Sequence, residues 1–147
     1  MTVLHIRIPG PPVGDQRPRV VQRRDGKGTM TYKPERSSAW TSDALALLAA
    51  HRPPEPLDEP LVLEVVAVMP RPQRLCRKSD PKARVWCLGK PDGDNVLKLV
   101  QDAIVKAGII VDDTRIVVAS VRKVHAAIEP LEQPHVEINL RRADAQE

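Results

Sequence analysis

Residues 3–8, VLHIRI, set Leu4, Ile6 and Ile8 against His5 and Arg7, the period of a half-buried strand. The next twenty residues are rich in Pro, Gly and Arg and predict a long loop or irregular hairpin. From Ser38 to His51 the apolar positions Trp40, Ala44, Leu47 and Leu48 fall at helical spacing, with Ser37 or Ser38 placed to cap the start. Prolines end that helix, and LVLEVVAVM (61–69) is apolar almost throughout, as in a central strand. The stretch 71–89 has no period and predicts an exposed, mobile basic loop. A second helix is predicted over 95–107, with Leu97, Val100, Ala103 and Ile104 on one face and Gly108 as its C-cap. A turn carrying Asp112 and Asp113 leads into a strand from Ile116, and HVEINLR (135–141) alternates as the last strand. The order β, α, β, α, β, β implies a single small α+β domain over 1–147: a mixed sheet of about four strands with two main helices, ending in a disordered tail at 143–147.

Composition narrows the function classes. Hydrophobic residues make up 41% of the 147 but aromatics only 2%, with no Phe, so Leu, Val, Ile and Ala must fill the core around Trp40, Trp86 and Tyr32. That scarcity argues against aromatic stacking platforms for single-stranded nucleic acid. No apolar run reaches the roughly 18 to 20 residues of a membrane span, and the N-terminus opens on a strand pattern, so a cytoplasmic location and no membrane partner are expected. Cys76 and Cys87 have neither CxxC spacing nor matching histidines, which leaves no zinc site and no disulfide framework. Net charge is +4, unevenly spread: residues 1–90 carry +7 and residues 91–147 carry −3. A basic first part and an acidic second part fit a polyanionic partner served by an acidic site, although any one basic cluster alone is more often a solvated face.

The acids concentrate in KPDGDNVLKLVQD (90–102) and in Asp112–Asp113. Asp92 and Asp94 are two residues apart, and two carboxylates ~4 Å apart repel by about 4 kcal/mol at an effective dielectric of 20. A cation must offset that. Lys98 is one helical turn after Asp94 and Asp102 one turn further, so acid, base and acid follow along one helix face. Carboxylates and a lysine converging at one end of a sheet suit a hard divalent cation, which prefers oxygen ligands and keeps several waters. Mg²⁺ there polarises a phosphodiester and acidifies a bound water, and a lysine meets the developing charge. Each residue also has a plainer use: Asp94 as a helix cap, Asp112 and Asp113 as turn residues, Lys98 as a surface lysine. An EF-hand loop fails, because Leu97 stands where glycine is required and Ala103 where a bidentate Glu belongs.

The segment KPDGDNVLKLVQDAIVKAGIIVDDTRI resembles the signature of the RusA-type Holliday-junction resolvases, in which KPD-x-DN-x-x-K and a downstream DD-x-x-I/V frame a DA-containing helix. Weaker likeness extends to Arg17-Pro18-Arg19, Tyr32 with Lys33-Pro34, Trp40, the MPRP at 69–72 and Lys123. The resemblance implies a RusA-like fold and a Mg²⁺-dependent endonuclease, with Mn²⁺ as the alternative ion. It would make paired symmetric nicks in four-way DNA junctions, in recombination and repair, often in a prophage setting. It implies that Asp92, Asp94 and Asp113 are metal-binding catalytic carboxylates and Lys98 the catalytic lysine, with Asp112, Asp102, Lys90 and Asn95 in support. A junction with near two-fold symmetry suggests a homodimer. Phosphate contacts are expected from Arg17, Arg19, Arg23, Arg24 and Lys27, and from Arg71, Arg74, Arg77, Lys78, Lys82 and Arg84. Two other readings compete: a non-catalytic structure-specific DNA-binding protein, and a metal-dependent hydrolase of a small phosphorylated substrate.

Overall fold

The structure, a computed structural model, describes residues 2–15, 19–32 and 35–145, with the side chains of Arg19, Thr31 and Tyr32 left out. Five strands build the main sheet: β1 (Thr2–Pro9), β4 (Leu61–Met69), β5 (Val85–Trp86), β6 (Ile116–His125) and β7 (His135–Arg142), in the order β1-β7-β4-β6-β5. β2 (Arg19–Gln22) and β3 (Thr29–Tyr32) form a separate antiparallel hairpin. The helices are α1 (Glu35–Leu48) and α2 (Gly93–Lys106). The α+β class with a mixed sheet and two helices stands; the sheet has one strand more than expected.

β4 is central because nothing on it favours water except Glu64: Leu61, Leu63, Val65 and Ala67 face the helices, and Val62 and Val68 are buried on the other side. It runs antiparallel to β7 and parallel to β6. The register aligns Ile6, Ile138, Val65 and Val121 across four strands, and these apolar rows form the floor under both helices. α2 buries Val96, Leu99, Val100, Ala103 and Ile104, spacing that turns one continuous stripe onto that floor. It ends as the sequence suggests: Gly108 takes φ +76°, and Ile109 N–H reaches back to Ile104 O at 3.2 Å.

Three boundaries differ from expectation. α1 begins at Glu35, so Ser37 is a fully buried interior residue and not a cap. α2 begins at Gly93, which moves Asp92 into the N-cap position and Asp94 into the first turn. The 71–89 segment has structure of its own, a 3₁₀ turn at Gln73–Leu75 and the strand β5. Arg71 organises it, donating to the carbonyls of Leu75 (3.0 Å) and Ala83 (2.8 Å) and to that of Pro81. A guanidinium with five donors can close such a loop from inside, and periodicity analysis has no means to see it. At the C-terminal end Ala143 N–H bonds Pro60 O at 3.0 Å, while residues 146–147 lie outside the described chain.

Arg84 makes a second cross-link. Its guanidinium donates to both oxygens of Glu132 (2.9 and 2.7 Å) and to Glu137 (2.6 Å), which also accepts from His135 Nε2 at 2.9 Å when that nitrogen carries the proton. Among the described residues, Glu132, His135 and Glu137 are the acid and histidine group close enough together to ligate a cation, but Arg84 already occupies the carboxylates. The guanidinium drives the Glu132 carboxyl from its usual 4.5 to about 2. A group with its folded pKa depressed contributes stability above its unfolded pKa and loses it as pH falls, here between about 4.5 and about 2. Glu132→Gln is therefore expected to cost about 1–3 kcal/mol at neutral pH. The deficit against wild type should shrink as pH falls from about 4.5 and close only below about pH 2. Urea melts of both proteins across that range check it; a deficit constant with pH would show the Arg84 pairing to be unimportant.

Candidate functional site

α2 begins beneath a strap. Pro11 to Asp15 crosses the start of the helix, and Asp15 N–H donates to Asn95 O at 2.9 Å. Gly14 allows this approach: a Cβ there would stand 2.9 Å from Pro91 Cβ and 3.1 Å from Asn95 Cβ. The strap, the end of β4 at Met69–Pro70, Arg36 of α1 and the Lys90–Asp92 turn with Asn95 enclose an open cleft of about 470 Å³. The turn is held from below by Lys123 of β6, whose ammonium donates to Gly89 O (2.6 Å) and Pro91 O (3.0 Å). Asp92 thus sits on a loop whose backbone carbonyls are fixed by a lysine in the sheet.

Asp92 is the N-cap residue of α2, yet its carboxylate makes no capping hydrogen bond; the cap is made by its backbone carbonyl, which accepts from Asn95 and Val96 at 3.1 Å. Aspartate at this position ordinarily turns its side chain onto the free amides. Here the carboxylate is exposed, and so is that of Asp94 in the first turn. Both lie in the positive field of the helix N-terminus, which favours negative charge. Lys98, one turn on, places Nζ 3.5 Å from Asp15 Oδ2. Asp15 has no periodic or motif context, and nothing in its Pro- and Gly-rich surroundings marked it. Its side chain is only 14% exposed. Arg36 went unmarked for the same reason.

The second acidic pair divides its labour. Asp112 caps the 3₁₀ turn Asp113–Arg115: the Thr114 hydroxyl donates to Oδ2 (3.0 Å) and Asp113 N–H to Oδ1 (2.9 Å), and these bonds hold its carboxyl below the ordinary carboxylate range. Asp113 is pushed up, by its hydrogen bond with the Asp112 carboxyl, by that group's charge and by Asp102 of α2. Asp113 is exposed, so it combines access with an excess of neighbouring negative charge. A hard cation relieves that excess, and the carboxylate oxygens of Asp92, Asp94 and Asp113 are the donor chemistry such an ion takes.

A single chain does not gather these acids. α2 is 14 residues long, about 20 Å. Gly93 at its start lies against Val121, a Cβ there standing 3.0 Å from Val121 Cγ1. Asp113 precedes Ile116, five residues or about 16 Å back along β6. Among the described residues Asp92, Asp94 and Asp113 form no group with ligand atoms within 4.8 Å of one another. The expected convergence at one end of the sheet is thus corrected: the two acidic clusters stand toward opposite ends of α2, joined along the helix by Lys98 and Asp102.

Between the clusters β6 has a bare edge. β5 pairs with it only at Val124 and His125, and Cys87 N–H takes Lys123 O, so among the described residues 116–122 face no strand on that side. Val117 and Val118 are 57% and 39% exposed there. An open edge with exposed valines is a template for pairing with another strand.

The basic residues also separate. Arg23, Arg24 and Lys27 lie in the β2–β3 turn, with Arg23 3.4 Å from Asp25, and Arg19 is in β2; Arg17 is outside the described residues, as are Lys33 and Pro34. Arg74, Lys78 and Lys82 are exposed, and Arg77 pairs with Asp80 at 3.6 Å. Arg71 and Arg84 are engaged within the protein as described above. Among the described residues no helix is long and apolar enough to cross a membrane.

No curated protein matches the chain in sequence. A family model for endodeoxyribonuclease RusA matches residues 9–141, which takes in the strap, the cleft, both acidic clusters and the sheet beyond β1 up to Arg141. With nine-tenths of its length so matched and its uncapped aspartates inside the matched region, the chain belongs to the RusA endodeoxyribonuclease family.

Proposed function

We propose that this endodeoxyribonuclease is a Mg²⁺-dependent homodimer that resolves four-way DNA junctions by paired symmetric nicks during recombination and repair, with Mn²⁺ able to replace Mg²⁺. The observation that carries the proposal is the Asp92 carboxylate, at a helix N-cap but not capping, beside an Asp94 that is also exposed. Asp92, Asp94 and Asp113 would hold the ion, which when bound supplies charge neutralisation and an acidified water. Lys98 then meets charge developing on the scissile phosphate. Asp112, fixed by Thr114, keeps the turn that presents Asp113. Lys123 keeps the Asp92 loop in place through the carbonyls of Gly89 and Pro91, and Lys90 and Asn95 border the same cleft. Asp102, between Lys98 and Asp113, supports the field along the helix.

The separation of the acids is resolved by the dimer. Two β6 edges pairing antiparallel about a two-fold axis near Val118 would set Arg115 of one copy opposite Val121 of the other. Asp113 would then lie opposite the partner's Lys123, which holds the partner's Pro91 next to Asp92. Each site would take Asp92 and Asp94 from one copy and Asp113 from the other, and a dimer would carry two, as symmetric cutting requires. Exposed Arg23, Arg24, Lys27, Arg74, Lys78 and Lys82 are the phosphate-contacting cations best placed to act.

The test is cleavage of a labelled synthetic four-way junction and a matched linear duplex, with Mg²⁺ or with EDTA. Symmetric nicks in the junction alone, abolished by EDTA, are expected. Junction binding without cleavage in any divalent metal would instead identify a DNA-binding protein, and hydrolysis of small phosphoesters alone a different hydrolase.

A further inference from the structure

We infer that Asp15 is a positioning residue for Lys98: its carboxylate, on the strap over α2, fixes the direction in which the Lys98 ammonium points. The inference rests on the nuclease reading for its consequence, since it names what aims the lysine. Three observations meet at this point. The carboxylate is only 14% exposed whereas the lysine is 65% exposed, so the acid is the fixed partner and the amine the mobile one. The strap that carries Asp15 is itself clamped, by the Asp15 N–H bond to Asn95 O and by the contact of Gly14 with Pro91 and Asn95. Asp15 also lines the same cleft as Asp92. A lysine has four side-chain torsions, and on an exposed helix surface it samples many directions; an ion pair to an anchored acid restricts them. Asp94 and Asp102, one turn to either side on α2, are the acids flanking Lys98 along its own helix, so loss of Asp15 leaves the lysine to swing between them.

Single-turnover cleavage of a four-way junction by Asp15→Asn, Lys98→Gln and the double variant tests this. The backbone bond to Asn95 survives any side chain at 15, so Asp15→Asn is expected to fold and to bind junctions in EDTA as wild type does. Its cleavage rate should fall about ten- to a hundred-fold, since a misplacement of ~1 Å is enough for that. Asp15→Glu should recover part of the loss. The double variant should be no slower than Lys98→Gln alone, because a residue acting only through Lys98 has nothing left to act on. Multiplying losses, or an unchanged Asp15→Asn rate, would overturn the inference. A readout free of activity separates it from the nuclease reading: acylation of Lys98 by an amine-reactive ester, followed by mass spectrometry with Lys78 as internal reference. Asp15→Asn should raise Lys98 labelling roughly two- to five-fold, the range set by ion pairs at exposed lysines. Unchanged labelling overturns the pairing even if the protein cuts junctions; raised labelling sustains it even if the protein cuts nothing.

Discussion

Asp94→Asn is expected to slow strand cleavage by about a thousand-fold in the single-turnover rate and to leave junction affinity intact or slightly improved. The substitution keeps shape and removes one negative charge. Asp94 is exposed in the first turn of α2, so the main loss to the fold is its favourable interaction with the helix N-terminus, about 0.3–1 kcal/mol. Binding has no reason to fall, because a carboxylate facing a phosphate repels it until a cation intervenes. Cleavage must fall, because an amide supplies neither the charge nor the affinity that holds a divalent ion. Comparison with Asp112→Asn sharpens the outcome. That carboxylate is occupied by Thr114 and Asp113 N–H, so its loss disturbs the turn and should cost far less activity than Asp94. Gel-shift titration in EDTA alongside cleavage in Mg²⁺ measures both effects. Equal losses at the two positions, or lost binding in Asp94→Asn, would remove Asp94 from the chemistry.

Much of the scaffold could be read from the chain because its signals are local. β4 is apolar enough to be central, α2 has a single buried stripe, and Gly108 ends it as a left-handed cap. The candidate ligands could be named for the same reason, since Asp92 and Asp94 lie in one short motif. What could not be read depends on contacts distant in sequence. The turn and strand within 71–89 have no local signal because they are tied by Arg71 reaching carbonyls up to 55 residues away, and by Arg84 reaching Glu132 across 48 residues. Asp15 was invisible because it pairs with Lys98 only once the strap crosses α2. A run of arginines shows charge but not which of them the fold uses inside. Arg71 and Arg84 serve the fold, and Arg74, Lys78 and Lys82 stay exposed. The spacing between acidic clusters was also misjudged. A helix of 14 residues followed by a turn does return the chain to the sheet, but at the far end of the helix from where it began.

That distance makes a mixed dimer decisive. In a dimer of Asp94→Asn with Asp113→Asn, composite sites would place both defects in one site and none in the other. The intact site takes Asp92 and Asp94 from the Asp113→Asn copy and Asp113 from the Asp94→Asn copy. Each variant alone should be inactive. Mixed at equal amounts and allowed to exchange, random assortment puts half the molecules in heterodimers with one live site each, so activity should return to about a quarter of the wild-type sites. The product is as diagnostic as the rate: one live site cuts one strand, giving nicked junctions and no resolved duplexes. Sites confined to single chains predict the opposite, since every site in the mixture would then carry one defect and activity would stay at the level of the inactive parents. Substituting the open edge separates assembly from chemistry, because Val118→Glu on both copies places like charges across the two-fold and should yield a folded monomer by light scattering. A monomeric variant that still cuts, or a mixture that recovers nothing while wild type resolves junctions, would return Asp113 to the same chain as Asp94 and require α2 and the Asp112–Asp113 turn to close on each other when DNA binds.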